Sequence, residues 1–197
     1  MLPVKLINVL IRTSFRPELF KRCLDSVRRQ DHPNIRIIVG YDREDALQYI
    51  PDGVEKVALK PCAGRYFYNL YCNQLKELVT EGWFFFLDDD DYLFHYKALS
   101  CLADKLEDGA TIVQFIRGSK RKPKDELMNK KEIVVGHIGL PCLILSANYK
   151  NVADLDGEKD FGDYTWIKKV TENVKTKFVK EPLVVAERRS WGRIYLK

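Results

Sequence analysis

The sequence predicts an α/β fold with a mostly parallel central sheet flanked by helices. Three observations carry that expectation. Short apolar runs alternate with amphipathic stretches through the first half of the chain, the pattern of a parallel sheet with crossover helices. The first of these runs, Leu6 to Ile11, is apolar except for Asn8, as a strand buried on both faces should be. Turn and cap residues, notably Pro17, Pro51-Asp52-Gly53 and Gly82, fall between the runs and not inside them.

The elements follow in order. Leu6 to Ile11 is the first strand. Pro17 opens a helix, where its missing N–H costs nothing, and Leu19, Phe20, Cys23, Leu24 and Val27 place one apolar stripe on it. Asn34 to Gly40, rich in isoleucine, is a second strand. A short helix around Asp45 to Ile50 and the Pro51-Asp52-Gly53 turn lead to a third strand, Val54 to Leu59. Tyr66 to Thr80 reads as a helix through Phe67, Leu70, Tyr71, Leu75, Leu78 and Val79, ended by Gly82. Trp83 to Leu87 is a fourth strand, Tyr96 to Leu106 a helix, and Ala110 to Ile116 a strand. Beyond it, Arg117 to Lys131 reads as an exposed basic loop, and Glu132 to Leu145 as two short apolar runs separated by Gly136-His137. Asp160 to Asn173 is expected to be helical. Lys175 to Val179 and Leu183 to Glu187 are expected to be strands, followed by a basic, aromatic tail.

A length of 197 residues suits one domain with a proper core, and no repeat or linker divides residues 1–197. No apolar run approaches the roughly 20 residues needed to cross a bilayer. The N-terminus lacks the order of basic, apolar and small residues that marks a signal peptide, so a cytoplasmic protein is expected. Five widely spaced cysteines, without a CxxC pair, argue against a disulfide framework and a zinc site. A net charge of +5 favours anionic ligands without demanding nucleic acid. The Lys120 to Lys124 run is followed by acidic residues and carries no interleaved aromatics, so it reads as a solvated loop, with a membrane-surface contact as the second reading.

Asp88, Asp89, Asp90 and Asp91 directly follow the apolar fourth strand. Alternate side chains of a strand face the same way, so Asp88 and Asp90 can point together into one crevice. In open α/β sheets ligands sit outside the carboxyl ends of the strands. Clustered carboxylates repel one another unless a cation compensates them, and hard oxygen ligands suit Mg²⁺ or Mn²⁺. The competing reading is a solvated acidic turn, but four charges are more than a turn needs.

With that cluster in place, three segments carry a family resemblance. Asn8 to Val27 resembles the opening of family 2 glycosyltransferases of the GT-A fold: a strand, a Thr-Tyr-Asn-Arg-like turn and a helix. Gln30-Asp31-His32-Pro33-Asn34-Ile35-Arg36-Ile37-Ile38-Val39 is similar to their Gln-Thr-Tyr-Pro-Asn-x-Glu-(Ile/Val)-Ile-Val segment, and Leu87 to Asp91 to their Leu-Asp-x-Asp-Asp, which contains the DXD motif. The resemblance spans residues 5 to 95 well and the rest loosely. It implies a Rossmann-like, nucleotide-sugar-binding half (1–95) and an acceptor-binding, catalytic half (96–197).

It also implies roles for residues. Thr13 and Ser14 match the turn that holds the nucleotide. Asp42 matches an aspartate that accepts a hydrogen bond from uracil N3–H, which favours a UDP-linked donor. Asp90 is expected to ligate Mn²⁺ or Mg²⁺ together with Asp88, and Asp88 or Asp89 to contact the ribose or donor sugar. Gly64 and Arg65 lie where the family places a loop beside the nucleotide. The family inverts the anomeric centre and needs a base, supplied by a Glu-Asp pair at the start of a helix. Asp163 aligns with that aspartate while Gly162 stands in the glutamate's place, leaving Asp160 and Glu158 as fallbacks. The implied partners are a nucleotide-sugar donor and a glycan, lipid-linked or protein-linked sugar acceptor, and the tail Arg188 to Arg193 is expected to close over the diphosphate.

The sequence departs from the family at three further places: Arg12 stands where proline is usual, Tyr41 where aspartate is, and His95 for a common proline. The rival activities are a nucleotidyltransferase and a dehalogenase-type phosphatase. The first lacks its glycine-rich loop after the first strand, and the second would need the cluster after that strand, not the fourth. A catalytically inactive nucleotide- or carbohydrate-binding module is the non-enzymatic alternative.

Overall fold

A computed structural model describes residues 3–117 and 126–186. Among them, eight strands form one sheet in the order β3-β2-β1-β4-β7-β6-β8-β5. The first four are β1 (Ile7–Thr13), β2 (Ile35–Tyr41), β3 (Glu55–Ala58) and β4 (Trp83–Asp88), paired in parallel with one another. This is the alternating block the sequence predicts. The remaining strands are β5 (Tyr92–Leu93), β6 (Ala110–Arg117), β7 (Leu143–Ser146) and β8 (Thr176–Ala186). β7 runs antiparallel to both β4 and β6, β6 and β8 are parallel, and β5 is antiparallel to β8.

The helices are α1 (Pro17–Arg28), α2 (Phe67–Glu77), α3 (Ala98–Ala103), α4 (Glu126–Lys130) and α5 (Gly162–Asn173). Strand parity sorts the core into two layers. Leu10, Ile38, Phe84 and Phe86 face α2 and α5, where Leu75 and Trp166 are buried. Val9, Ile11, Val39, Phe85 and Leu87 face α1 and α3, where Phe20, Val27 and Leu99 are buried. A side chain's place one residue earlier or later in β1 or β4 therefore decides which layer it enters.

Several expectations are corrected here. The 117–131 segment holds a short helix, α4, while residues 118–125 lie outside the described residues. Of the two apolar runs in 132–145, only the second becomes a strand. The two strands expected near the end are one, β8, which continues through Pro182 because its pairing with β6 shifts register at Val113/Gln114 and Gln114/Phe115. An irregular pairing spares a proline the ladder hydrogen bond it cannot donate. Gly82 holds φ at +77°, and a Cβ there would lie 2.5 Å from the Leu6 carbonyl oxygen, so it serves the entry to β4 as much as the exit from the preceding helix. No helix among the described residues is long and apolar enough to cross a membrane.

Candidate active site

The cleft opens where β1 and β4 end. Arg12 and Asp88 are in-register partners at the carboxyl ends of these parallel strands. A cavity of about 520 Å³ lies there, lined by Arg12, Asp88, Asp90 and Asp91 on one side and Gly139, Phe161 and Asp163 on another. Asp163 is thus brought to the acidic cluster from 72 or more residues away in the sequence.

The four aspartates divide as the pleat requires. Asp88 continues the Phe84, Phe86 row and faces the cleft. Asp88, Asp90 and Asp91 each offer a carboxylate oxygen, and the three oxygens lie within 4.8 Å of one another. Burial raises the Asp90 carboxyl above its ordinary value, and the charge of Asp88 adds to the rise. A trio of converging, hard oxygen donors fits a divalent cation, so Asp88, Asp90 and Asp91 are the residues that could hold one. Asp91 was not among the expected ligands, because the turn after β4 breaks the alternation on which Asp88 and Asp90 were chosen.

Asp89 is placed differently from expectation. It follows the Phe85, Leu87 row onto the opposite layer and is fully buried there. Its carboxylate accepts hydrogen bonds from Thr13 Oγ1 at 2.9 Å, from Arg16 Nε at 3.2 Å and from Arg16 Nη2. Burial still pushes this carboxyl up to about 6, against the pull of Arg16 and the Thr13 hydroxyl. Its role in this structure is to fix the turn beneath the cleft, and a donor contact from its side chain does not fit that position. Thr13 shares this fate: its hydroxyl lies between Asp89 and Tyr49 Oη, 3.1 Å away.

The turn after β4 is fastened to α1 at several points. Arg16 Nη1 reaches Asp90 at 3.1 Å, and Arg22 donates to the Asp90 carbonyl at 2.7 Å while stacking over Tyr92. Ser26 Oγ accepts the Leu93 N–H at 3.0 Å. The sequence signal for these anchors was present in the arginines of 12–22, whose partners only the fold reveals.

The remaining expected residues are scattered. Ser14 is half-buried at the start of the β1–α1 turn. Asp42 follows β2, and its Oδ1 is buried without a hydrogen-bond partner. Nearby, exposed Phe15 holds φ at +47° with the Arg43 guanidinium 5.0 Å from its ring centre. Arg65 is exposed and stacked on Tyr66, outside the lining of the cleft. His95 accepts the Lys97 N–H at its own helix start, and Tyr41 packs on the α1 layer. Asp160 and Glu158 are exposed and do not line the cleft. The 188–193 segment lies outside the described residues.

Asp163 sits in the first turn of α5, half-buried, and its Oδ1 accepts the Tyr164 N–H at 2.7 Å. A helix N-terminus normally favours the ionised carboxylate. Here burial outweighs the Tyr164 N–H and raises the carboxyl above its ordinary value, and the charge of Asp88 adds to the rise. A raised carboxyl lining the same cavity as Asp88, Asp90 and Asp91 is a fitting proton acceptor.

Gly162 explains the departure beside it. A Cβ at that position would clash with Asn69 Nδ2 and lie 3.1 Å from the Asp156 carbonyl oxygen. Asn69 is itself buried and donates to that carbonyl at 2.8 Å. Introducing Gly162→Glu is therefore expected to destabilise the fold by about 1–3 kcal/mol through overpacking. Urea denaturation of the variant against wild type checks this, and an unchanged midpoint would contradict it.

Residues 9–161 match the family model described as Glycosyl transferase family 2. None of the curated proteins matches the sequence. Among solved structures, S. aureus TarS aligns at TM-score 0.76 and 16% identity over 93% of this chain and 37% of its own. TarS 1–349 with UDP-GlcNAc aligns at TM-score 0.70 and 17% identity over 94% and 59%. The Pyrobaculum calidifontis mannosyltransferase PcManGT, in complex with GDP-Man and Mn²⁺, aligns at TM-score 0.69 and 11% identity over 97% and 59%. The chain thus spans less than two thirds of each, and at these identities the likeness is one of fold, the GT-A fold of those transferases.

Proposed function

The chain belongs to glycosyl transferase family 2, and from that premise we propose that it transfers a sugar, with inversion, from a UDP-linked donor to a hydroxyl of a glycan, lipid-linked or protein-linked acceptor. The observation that carries the proposal is the cleft itself, which sets Asp163 opposite the Asp88, Asp90 and Asp91 oxygens at the carboxyl ends of the parallel strands. We read the whole chain as one such domain, with donor chemistry in 1–95 and acceptor chemistry in 96–197.

In this reading Asp163 accepts the proton of the acceptor hydroxyl as its oxygen attacks the anomeric carbon. The bond from that carbon to the diphosphate oxygen breaks from the opposite side. Asp88, Asp90 and Asp91 would hold Mn²⁺ or Mg²⁺, which when bound supplies positive charge to the departing diphosphate. The buried, unpartnered Asp42 Oδ1 supports a base that presents an N–H donor, as uracil does at N3. The structures of similar fold solved with UDP-GlcNAc and with GDP-Man and Mn²⁺ favour a sugar-nucleotide donor for this chain too.

Thermal melts with UDP-, dTDP- and GDP-sugars, each with and without Mn²⁺, test the donor. A true donor at a hundredfold excess over its Kd is expected to raise Tm by about 5–10 °C, and only with the metal. Chromatography of the same mixtures should show release of UDP. If no sugar nucleotide shifts the melt and none is consumed, the transferase reading falls and a binding role for another ligand takes its place.

A further inference from the structure

Arg12 is a cation built into the wall of the cleft, at a position where the family resemblance leads one to expect proline. It stands two residues beyond Leu10, as Asp88 stands two beyond Phe86, so parity sends both side chains to the same face. Its Nη2 lies 3.2 Å from Asp88 Oδ1, and both side chains are largely buried, at 11% and 20% exposure. Its guanidinium carbon also lies 5.1 Å from the centre of the Tyr68 ring, on α2 at the cleft wall. Asp88 therefore belongs to two constellations: the pair with Arg12, and the trio of oxygens with Asp90 and Asp91.

A guanidinium and a divalent cation cannot both sit on one carboxylate in a poorly solvated cleft without strong mutual repulsion. The planar fork of arginine suits phosphate oxygens as well as it suits carboxylate, and an aromatic face holds it at little cost. We propose that Arg12 and the divalent ion compete for Asp88, and that the guanidinium, displaced across the Tyr68 ring, takes up a phosphate oxygen of the incoming nucleoside diphosphate. This rests on the reading of the cleft as a metal and sugar-nucleotide site. Arg12 then couples the two ligands: each alone meets a site whose charges are already paired, and the two together satisfy every partner.

Titration calorimetry with Mn²⁺ alone, UDP alone in EDTA, and UDP with saturating Mn²⁺ tests the coupling on wild type, Arg12→Gln and Arg12→Lys. Thermal melts first establish that each variant is folded. Arg12→Gln is expected to bind Mn²⁺ alone roughly tenfold more tightly and UDP at saturating Mn²⁺ roughly tenfold more weakly, within the ordinary range of coupling between sites, while UDP in EDTA changes far less. Arg12→Lys keeps the charge but not the fork, so its affinity for Mn²⁺ stays near wild type while UDP binding weakens. Unchanged or weaker Mn²⁺ binding by Arg12→Gln overturns the competition, and so does a lysine variant that matches glutamine in metal affinity. A wild type that binds no UDP sinks the UDP-donor reading instead, and the Mn²⁺ comparison still decides whether Arg12 competes for Asp88.

Discussion

Asp163→Asn is expected to lower kcat by about 10²–10⁴-fold, the usual contribution of a positioned general base, with nucleotide affinity unchanged. The substitution is nearly isosteric, and an asparagine Oδ1 still accepts the Tyr164 N–H that Asp163 Oδ1 accepts at 2.7 Å, so the first turn of α5 is retained. What is lost is the proton acceptor of the proposed mechanism. The direction of the pH dependence follows from the raised carboxyl. Burial and the charge of Asp88 hold it above the ordinary aspartate range, so the ionised base is depleted, and kcat falls, at a higher pH than a solvated aspartate would give. The variant should show a flat residual rate over that acid limb. Steady-state rates across pH, with UDP affinity measured in parallel, check both points. A variant that keeps wild-type kcat would move the base to another residue, and one that loses UDP binding would make Asp163 a donor ligand.

Arg16→Leu is expected to cost about 3–5 kcal/mol of stability, the range for removing one partner of a buried ion pair. Arg16 bonds Asp89 through two nitrogens and Asp90 through a third, and Asp89 has no exposed surface. Without the guanidinium, the Asp89 charge is left in the core with only the Thr13 hydroxyl. The pH dependence has a definite sign. Asp89 already titrates at about 6 in the folded chain, above the ordinary 3.8. A carboxyl whose folded pKa is raised binds its proton more tightly when folded, so its contribution is favourable at low pH and is lost as pH rises through the folded value. Removing Arg16 pushes that value further up, so the deficit should be larger at pH 8 than at pH 5. Pairing the change with Asp89→Asn should recover much of the loss, because the orphaned charge is gone. Urea denaturation of both single variants and the double variant at the two pH values measures this. Strictly additive losses would show that Arg16 and Asp89 do not stabilise one another.

Much of this architecture is legible in the sequence, and the reasons are local. β1, β2 and β4 are apolar runs long enough to be buried on both faces, and Pro17 and the helical stripe of α1 leave little choice about what lies between them. The second half was harder because its strands are defined by partners and not by composition. β5 is two residues that become a strand only against Val184 and Val185 of β8. The two strands expected at 175–179 and 183–187 are one, β8, and only the shifted pairing with β6 shows how it runs on through Pro182. At the site, Asp88, Asp90 and Asp163 could be picked out from spacing and resemblance, and they do share a cleft. Asp89 could not be separated from them, since its direction depends on continuing the parity of Phe85 and Leu87 past the end of the apolar run. Arg12 and Arg16 look like ordinary turn arginines until β1 and β4 are laid side by side.

That side-by-side arrangement also bears on how such a chain can change over generations. Because neighbouring aspartates are dealt to opposite faces, losing or gaining one codon inside β4 would exchange their duties, sending the carboxylate meant for the cleft into the α1 layer and the core carboxylate into the open. Point replacements within the strand degrade the site by degrees, whereas a single frame-preserving indel there should abolish it in one event. Length variation among descendants of this chain is therefore expected to collect in the loops beyond the strand ends, such as 51–53, and to spare 83–91.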